Sequence, residues 1–246
     1  LSARAVVRAP VVPRGPWALS MRWHDLLFMH WPVPEEVLRP MIPGSLAVDT
    51  FGGSAWLGVV PFRMSGVRPR PLPAVERISD FPEINLRTYV VGADGEAGVW
   101  FFSLDAASRL AVRLARTFYG LPYFDARMSC HPEGGWVRYE SVRTHRGAPP
   151  ARFAGRYRPR GSVFEAAPGS LEDFLTGRYL LYSAGRGGRL MRAAIRHRPW
   201  PLQPAEIDVD RLEMTSPVGL EEPSGEPLLH FARYLEVVAW FPEEVG

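Results

Sequence analysis

Short runs of bulky apolar residues, each cut off by glycine, proline or aspartate, recur from Trp17 to residue 241. With 23 glycines and 25 prolines among 246 residues, a breaker falls about every five positions. Such a chain has little room for long helices, and the runs read as strands. They occupy residues 26–31, 46–48, 56–64, 84–91, 99–104, 123–129 and 136–144, then 153–157, 179–183, 190–197, 218–220 and 229–241. The segment Gly92-Ala93-Asp94-Gly95 signals a hairpin, and Gly134-Gly135 and Gly187-Gly188 signal further turns.

Helices interrupt this pattern in two or three places. Pro34-Glu35-Glu36 opens a short one, with acids in the first turn. Residues 105–119 form the best helix, with Asp105 as N-cap and Leu110, Leu114 and Phe118 on one face. Gly120 stops it, and Pro122 follows. Ser170-Leu171-Glu172-Asp173 resembles a capping-box start. The expected fold is α+β and mainly antiparallel β, a barrel-like sheet that protects its edges, with a few outer helices. Residues 1–16 read as a tail or strap, and 17–246 as a single domain.

No apolar run approaches the ~18 residues of a spanning helix, and the N-terminal residues lack the apolar stretch of a signal peptide. A single cysteine, Cys130, excludes an internal disulfide framework or a multi-cysteine zinc site and fits a reducing compartment. The expectation is a cytoplasmic protein with no membrane partner. Formal net charge is +3, and the arginines are spread among equally dispersed acids, so nucleic-acid binding ranks lowest. All 29 basic residues are arginine; the sequence contains no lysine. Arginine stays protonated and cannot serve as an amine nucleophile, which removes every mechanism that needs a Schiff base on lysine.

The polar residues with most chemical content lie in the segment from Phe81 to Tyr89. Strand alternation puts Glu83, Asn85, Arg87 and Tyr89 on one face and Ile84, Leu86 and Thr88 on the other. That polar face either meets water or lines the interior of a barrel. The Gly120-Leu121-Pro122 turn then aims Tyr123 in a fixed direction. The six histidines show no metal-site spacing, and no metal or cofactor is expected. Nucleophile-elbow, phosphate-loop and dinucleotide glycine motifs are missing from the sequence.

In their order along the chain, several segments resemble the acetoacetate-decarboxylase-like superfamily, and most closely its uncharacterised YqjF-like branch. Val12-Pro13-Arg14-Gly15-Pro16-Trp17 is similar to the decarboxylases' Phe-Pro-Arg-Gly-Pro-Tyr, and the segment from Leu38 to Leu46 matches their Leu-Arg-x-hydrophobic-hydrophobic-Pro-x-x-Leu. Phe81-Pro82-Glu83 resembles the strand with their active-site glutamate, and Ser103-Leu104-Asp105 resembles their Tyr-Leu-Asp. The stretch from Arg116 to Tyr123 resembles their Arg-Glu-x-x-x-x-Pro-Lys. The YqjF-like match covers nearly all of 17–241, through runs such as His-Trp-Pro-Val, Val-Pro-Phe-Arg-Met and Trp-Phe-Phe-Ser-Leu-Asp-Ala.

The resemblance implies a fold and a pocket, and it also marks a departure. Where the decarboxylases carry a reactive lysine and a neighbouring second one, this chain has Tyr123 and Phe124. Their N-terminal arginine falls, by ungapped counting back from Leu38, at His24. The candidate ligand-binding residues are therefore Glu83, Arg87, Tyr123, His24 and Arg116, with Glu83 the candidate catalytic group. A small-molecule ligand is expected, a carboxylate among the candidates, bound by a protein or enzyme that does no Schiff-base chemistry. The alternative is a structural or interaction protein whose barrel is filled by aromatics. A homo-oligomer stays open.

Overall fold

The computed structural model describes residues 13–75 and 78–245. The expected tail 1–16 lies outside these, apart from its last four residues. The strands are β1 (Leu19–Val33), β2 (Leu46–Val48), β3 (Ala55–Pro69), β4 (Phe81–Gly92), β5 (Ala97–Ala106), β6 (Tyr123–Glu133) and β7 (Trp136–Arg143). They continue with β8 (Arg152–Pro159), β9 (Leu180–Ala184), β10 (Leu190–Arg196), β11 (Leu202–Glu213), β12 (Leu228–Ala239) and β13 (Glu243–Glu244). Three short helices, α1 (Glu35–Leu38), α2 (Arg109–Phe118) and α3 (Leu171–Thr176), interrupt them.

Nine strands close into a mixed barrel in the order β1-β3-β4-β5-β6-β7-β8-β11-β12. Every neighbour pair is antiparallel except β5 and β6, which pair in parallel through Leu104 and Tyr123. A second closed path uses five of these strands, β12-β1-β3-β4-β5, and returns through β9 and β10. Where the two rings overlap, the five-strand wall is buried on both faces, which is why its strands are so rich in bulky apolar residues, while its end at Ser20, Arg22 and Arg68 stays partly or fully exposed. Toward the nine-strand barrel, β4 presents Ile84, Leu86 and Val90 to a core filled by Tyr139, Phe153, Tyr157 and Phe231. Toward the second ring it presents Glu83, Asn85 and Arg87. The polar face expected to meet water or line a barrel does the latter, in the smaller of two enclosures.

Three expectations change. The helix over 105–119 begins at Arg109, and its N-cap is Ser108, which accepts a hydrogen bond from Ala111 N at 3.4 Å. Asp105 belongs to β5, fully buried, because Arg143 on β7 reaches it at 2.8 Å and compensates its charge. The stripe Leu110, Leu114 and Phe118 faces outward at 47%, 47% and 58% exposure; Val112 is the buried residue. Residues 218–220 do not form a strand, since a tight helical turn over Ser216–Val218 occupies that region. Strand β11 was not expected, because its two flanks pair with β8 and β12 while much of its own side-chain surface stays polar and open.

Candidate functional site

The second ring encloses a cavity of about 130 Å³. Its walls come from β1, β3, β4 and β5, from the end of α2 and from β9 and β10, and most of them are apolar: Met21, Leu26, Val60, Phe62, Phe101, Trp200. Glu83 enters from β4 and is 3% exposed. Tyr123, the first residue of β6, enters from two strands away on the same face of the sheet, in the paired row Asn85, Leu104, Tyr123, and its hydroxyl donates to Glu83 Oε2 at 2.7 Å. Gly120 supplies the left-handed turn (φ +63°) between α2 and β6 that brings Tyr123 inward. Asn85, two positions along β4, adds a second hydrogen bond to the Glu83 carboxyl.

Burial governs the ionisation of Glu83. Loss of water raises its pKa from 4.5 to about 8, against the hydrogen bonds from Tyr123 and Asn85, with Asp105 adding a smaller upward push. Arg87 does not offset this, since it lies four residues along the strand and does not touch the carboxyl. Glu83 is therefore mainly protonated at neutral pH. Burial, and then the Glu83 charge, raise the Tyr123 phenol well above 10, so it acts as a neutral donor.

Two arginines form the other pole. Arg87 lies against the Phe28 and Tyr89 rings, at 5.2 and 5.8 Å. Arg178, just after α3, is held by Asp49 Oδ2 (2.7 Å) and by the Phe174 carbonyl (2.6 Å). Arg87 Nε and Arg178 Nη2 are both buried with no hydrogen-bond partner among the described residues. The same holds for Asn85 Oδ1, Tyr119 OH, Trp23 Nε1 and His197 Nε2, all on residues that line this cavity. His197 Nδ1 lies 2.7 Å from the Arg198 carbonyl, which fixes the proton there and leaves Nε2 as an acceptor. Burial pulls its pKa down to about 4, so the ring stays neutral.

Glu83, Arg87 and Tyr123 thus meet at one enclosure, and two expected residues do not. His24 lies on the outer face of β1, with Nε2 2.7 Å from Ser65 Oγ and its ring against Tyr234. Strand alternation is the reason, because Trp23 and Met21 take the inward positions. Arg116 is exposed on α2, and its Nη1 donates to the Tyr123 carbonyl at 2.7 Å, bracing the turn from outside. Phe124 likewise points away from the cavity, under the Arg143 guanidinium at 4.1 Å. Sequence reasoning missed Arg178 and His197. Neither lies on a strand interior with a polar pattern, and only the closure of the second ring brings them to Glu83.

A family model described as an uncharacterized conserved protein, DUF2071, matches residues 20–236. The chain belongs to the DUF2071 family. It is 42% identical over 229 residues to the uncharacterized protein YqjF of Bacillus subtilis (strain 168), covering 93% of each chain. Among solved structures it is similar to acetoacetate decarboxylase from Legionella pneumophila, with a TM-score of 0.60 at 13% identity, covering 100% of this chain and 98% of that one. It is also similar to the enduracididine biosynthesis enzyme MppR complexed with pyruvate, with a TM-score of 0.61 at 9% identity, covering 94% and 91%. At these identities the likeness establishes an acetoacetate-decarboxylase-like fold. No helix among the described residues is long and apolar enough to cross a membrane.

Proposed function

We propose that this DUF2071 member binds a small carboxylate in the second-ring cavity, with Glu83 exchanging a proton with the bound molecule. One observation carries the reading: the cavity wall holds a cation, Arg87, whose Nη2 reaches only the Tyr89 hydroxyl and the Leu175 carbonyl, each at 3.5 Å, and which has no counter-ion among the described residues. Arg178 is neutralised by Asp49, whereas Arg87 has no carboxylate partner among the described residues, and Glu83 is protonated at neutral pH. A guanidinium in so apolar a wall is costly unless an anion joins it, and its fork matches a carboxylate. The volume suits the size, since an apolar cavity of ~150 Å³ accepts a benzene-sized guest. The neighbour MppR, whose structure contains pyruvate, supports a small oxo acid as the first ligand to try.

Decarboxylation through an iminium is not part of this proposal, because the sequence offers no lysine and Tyr123 and Phe124 stand at the matching positions. The chemistry left to Glu83 is proton transfer to or from a carbon or oxygen beside a carbonyl, with Tyr123 and Asn85 orienting the carboxyl. The test is titration with pyruvate and acetoacetate, followed by proton NMR in deuterium oxide. Binding should weaken about tenfold or more in Arg87→Met, whereas Glu83→Gln should still bind but lose enzyme-dependent deuterium exchange at the carbon beside the ketone, the methyl of pyruvate or the methylene of acetoacetate. Absence of binding by any small carboxylate at millimolar concentration would reject the reading and leave the filled structural barrel in its place.

A further inference from the structure

On the outer face of the shared wall, across β1 from the cavity, lies a groove of about 660 Å³. Register explains how it forms. Ser20 on β1 pairs with Arg68 on β3 and with Val238 on β12, and Val238 pairs with Arg196 on β10. Directly paired residues share a face, so this row reads Arg68, Ser20, Val238, Arg196, with two arginines flanking two smaller side chains. Two residues further along β1, Arg22 faces the same way opposite Glu236. Arg198, just beyond the end of β10, completes the rim. Gly66 keeps the floor open under Arg22, whose Nη1 lies 3.3 Å from where a β-carbon would stand.

The charges here do not balance. Arg22 approaches Glu236 only to 4.0 Å, and that carboxylate also accepts from Tyr234 at 2.8 Å. Asp80 is the other acid at the rim, accepting from Gly66 N at 2.7 Å. Arg68 is steadied by the Trp17 ring at 5.2 Å. Among the described residues, none of Arg68, Arg196 and Arg198 has an ion-pair partner within 4 Å. Four arginines against two carboxylates leave two positive charges around one concave site.

We propose that this groove is a binding subsite for a phosphoryl group of a small molecule. A carboxylate would neutralise only one of the two excess charges, whereas a phosphoryl group carries about −1.5 to −2 at neutral pH and offers three acceptor oxygens. Guanidinium forks approaching from opposite sides match that geometry. The groove shares His197 and Met21 with the lining of the cavity. A phosphorylated ligand seated here therefore lies next to the enclosure, but the subsite does not rest on the carboxylate reading and is tested without it.

The experiment is calorimetric titration of the full chain with inorganic pyrophosphate at constant ionic strength. Saturable binding with one site per chain is expected. It should weaken about tenfold or more in the double variant Arg68→Ser, Arg196→Ser, and by a smaller factor in Arg198→Ser. Arg127→Ser, whose side chain lies outside both the groove and the cavity, should bind as the parent does. Circular dichroism on each variant separates loss of the site from loss of the fold. No saturable binding at millimolar pyrophosphate, or equal binding by the double variant, would overturn the proposal. So would a single-stranded oligonucleotide that binds more tightly than pyrophosphate through the same arginines, which would make the groove a nucleic-acid contact.

Discussion

Glu83 makes the stability of this protein depend on pH in a direction opposite to that of an ordinary surface carboxylate. Its pKa is raised in the folded chain, to about 8 against 4.5, so between those values the native state holds a proton that the unfolded chain has released. Stability must then fall as pH rises through that window, and the loss is complete above pH 8. A shift of this size is worth on the order of 5 kcal/mol by pH 9. Replacing Glu83 with Gln removes the ionisation and keeps the shape. Urea midpoints of parent and Glu83→Gln should therefore be close at pH 5 and well separated at pH 9, with the variant more stable. Parallel midpoints at both pH values would mean that the carboxyl titrates normally. Tyr123→Phe tests the same balance from the other side. It deletes the 2.7 Å hydrogen bond that favours the carboxylate, so the decline should extend to higher pH.

The elements show where a sequence pattern carries information and where it stops. Alternation in β4 separated Glu83, Asn85 and Arg87 from Ile84 and Leu86, and a strand buried on both faces preserves that split. In α2 the 3.6-residue period identifies a helix with Leu110, Leu114 and Phe118 on one face, but it does not say which face docks. Leu110, Leu114 and Phe118 share a face, yet the helix docks through Val112, with Ala111 partly buried beside it and Ala115 and Tyr119 turned toward the cavity. Small residues let the helix approach the sheet closely, and periodicity counts bulk rather than fit. The consequence is measurable. Val112→Ala should cost about 1–3 kcal/mol, because it removes fully buried methyl groups. Leu114→Ser should stay within about 0.5 kcal/mol, as expected of an exposed position. Ser108→Ala should cost about 1 kcal/mol through the lost N-cap, and it would separate the observed helix start from one at Asp105. Equal losses for Val112→Ala and Leu114→Ser would contradict this docking.

At the scale of the whole molecule, two closed rings share five strands, and this arrangement was only half legible. Bulky runs between glycines and prolines pointed to a closed sheet, but no local pattern states that β9 and β10 return to β12 and close a second ring. That closure rests on two short pairings, Ile195 with Ala239 and Arg196 with Val238. It decides that Arg178 and His197 join Glu83. The shared wall also governs unfolding. Leu86 and Trp200 belong to different enclosures, the first packed inside the nine-strand barrel and the second lining the cavity. If the enclosures were independent, Leu86→Ala would weaken one transition and Trp200→Ala another. Because β12, β1, β3, β4 and β5 serve both, and Trp200 packs on Trp23 and Phe28 of that wall, disorder in the wall opens both rings. Both variants should therefore lower the same single transition, by about 2–5 kcal/mol for Leu86→Ala and 3–5 kcal/mol for Trp200→Ala. Far-ultraviolet circular dichroism and tryptophan fluorescence, followed through one urea titration, should trace coincident curves in the parent and in both variants. Separation of the two probes in Trp200→Ala alone would show that the second ring opens while the nine-strand barrel stands, and the cavity would then be a locally unfolding unit.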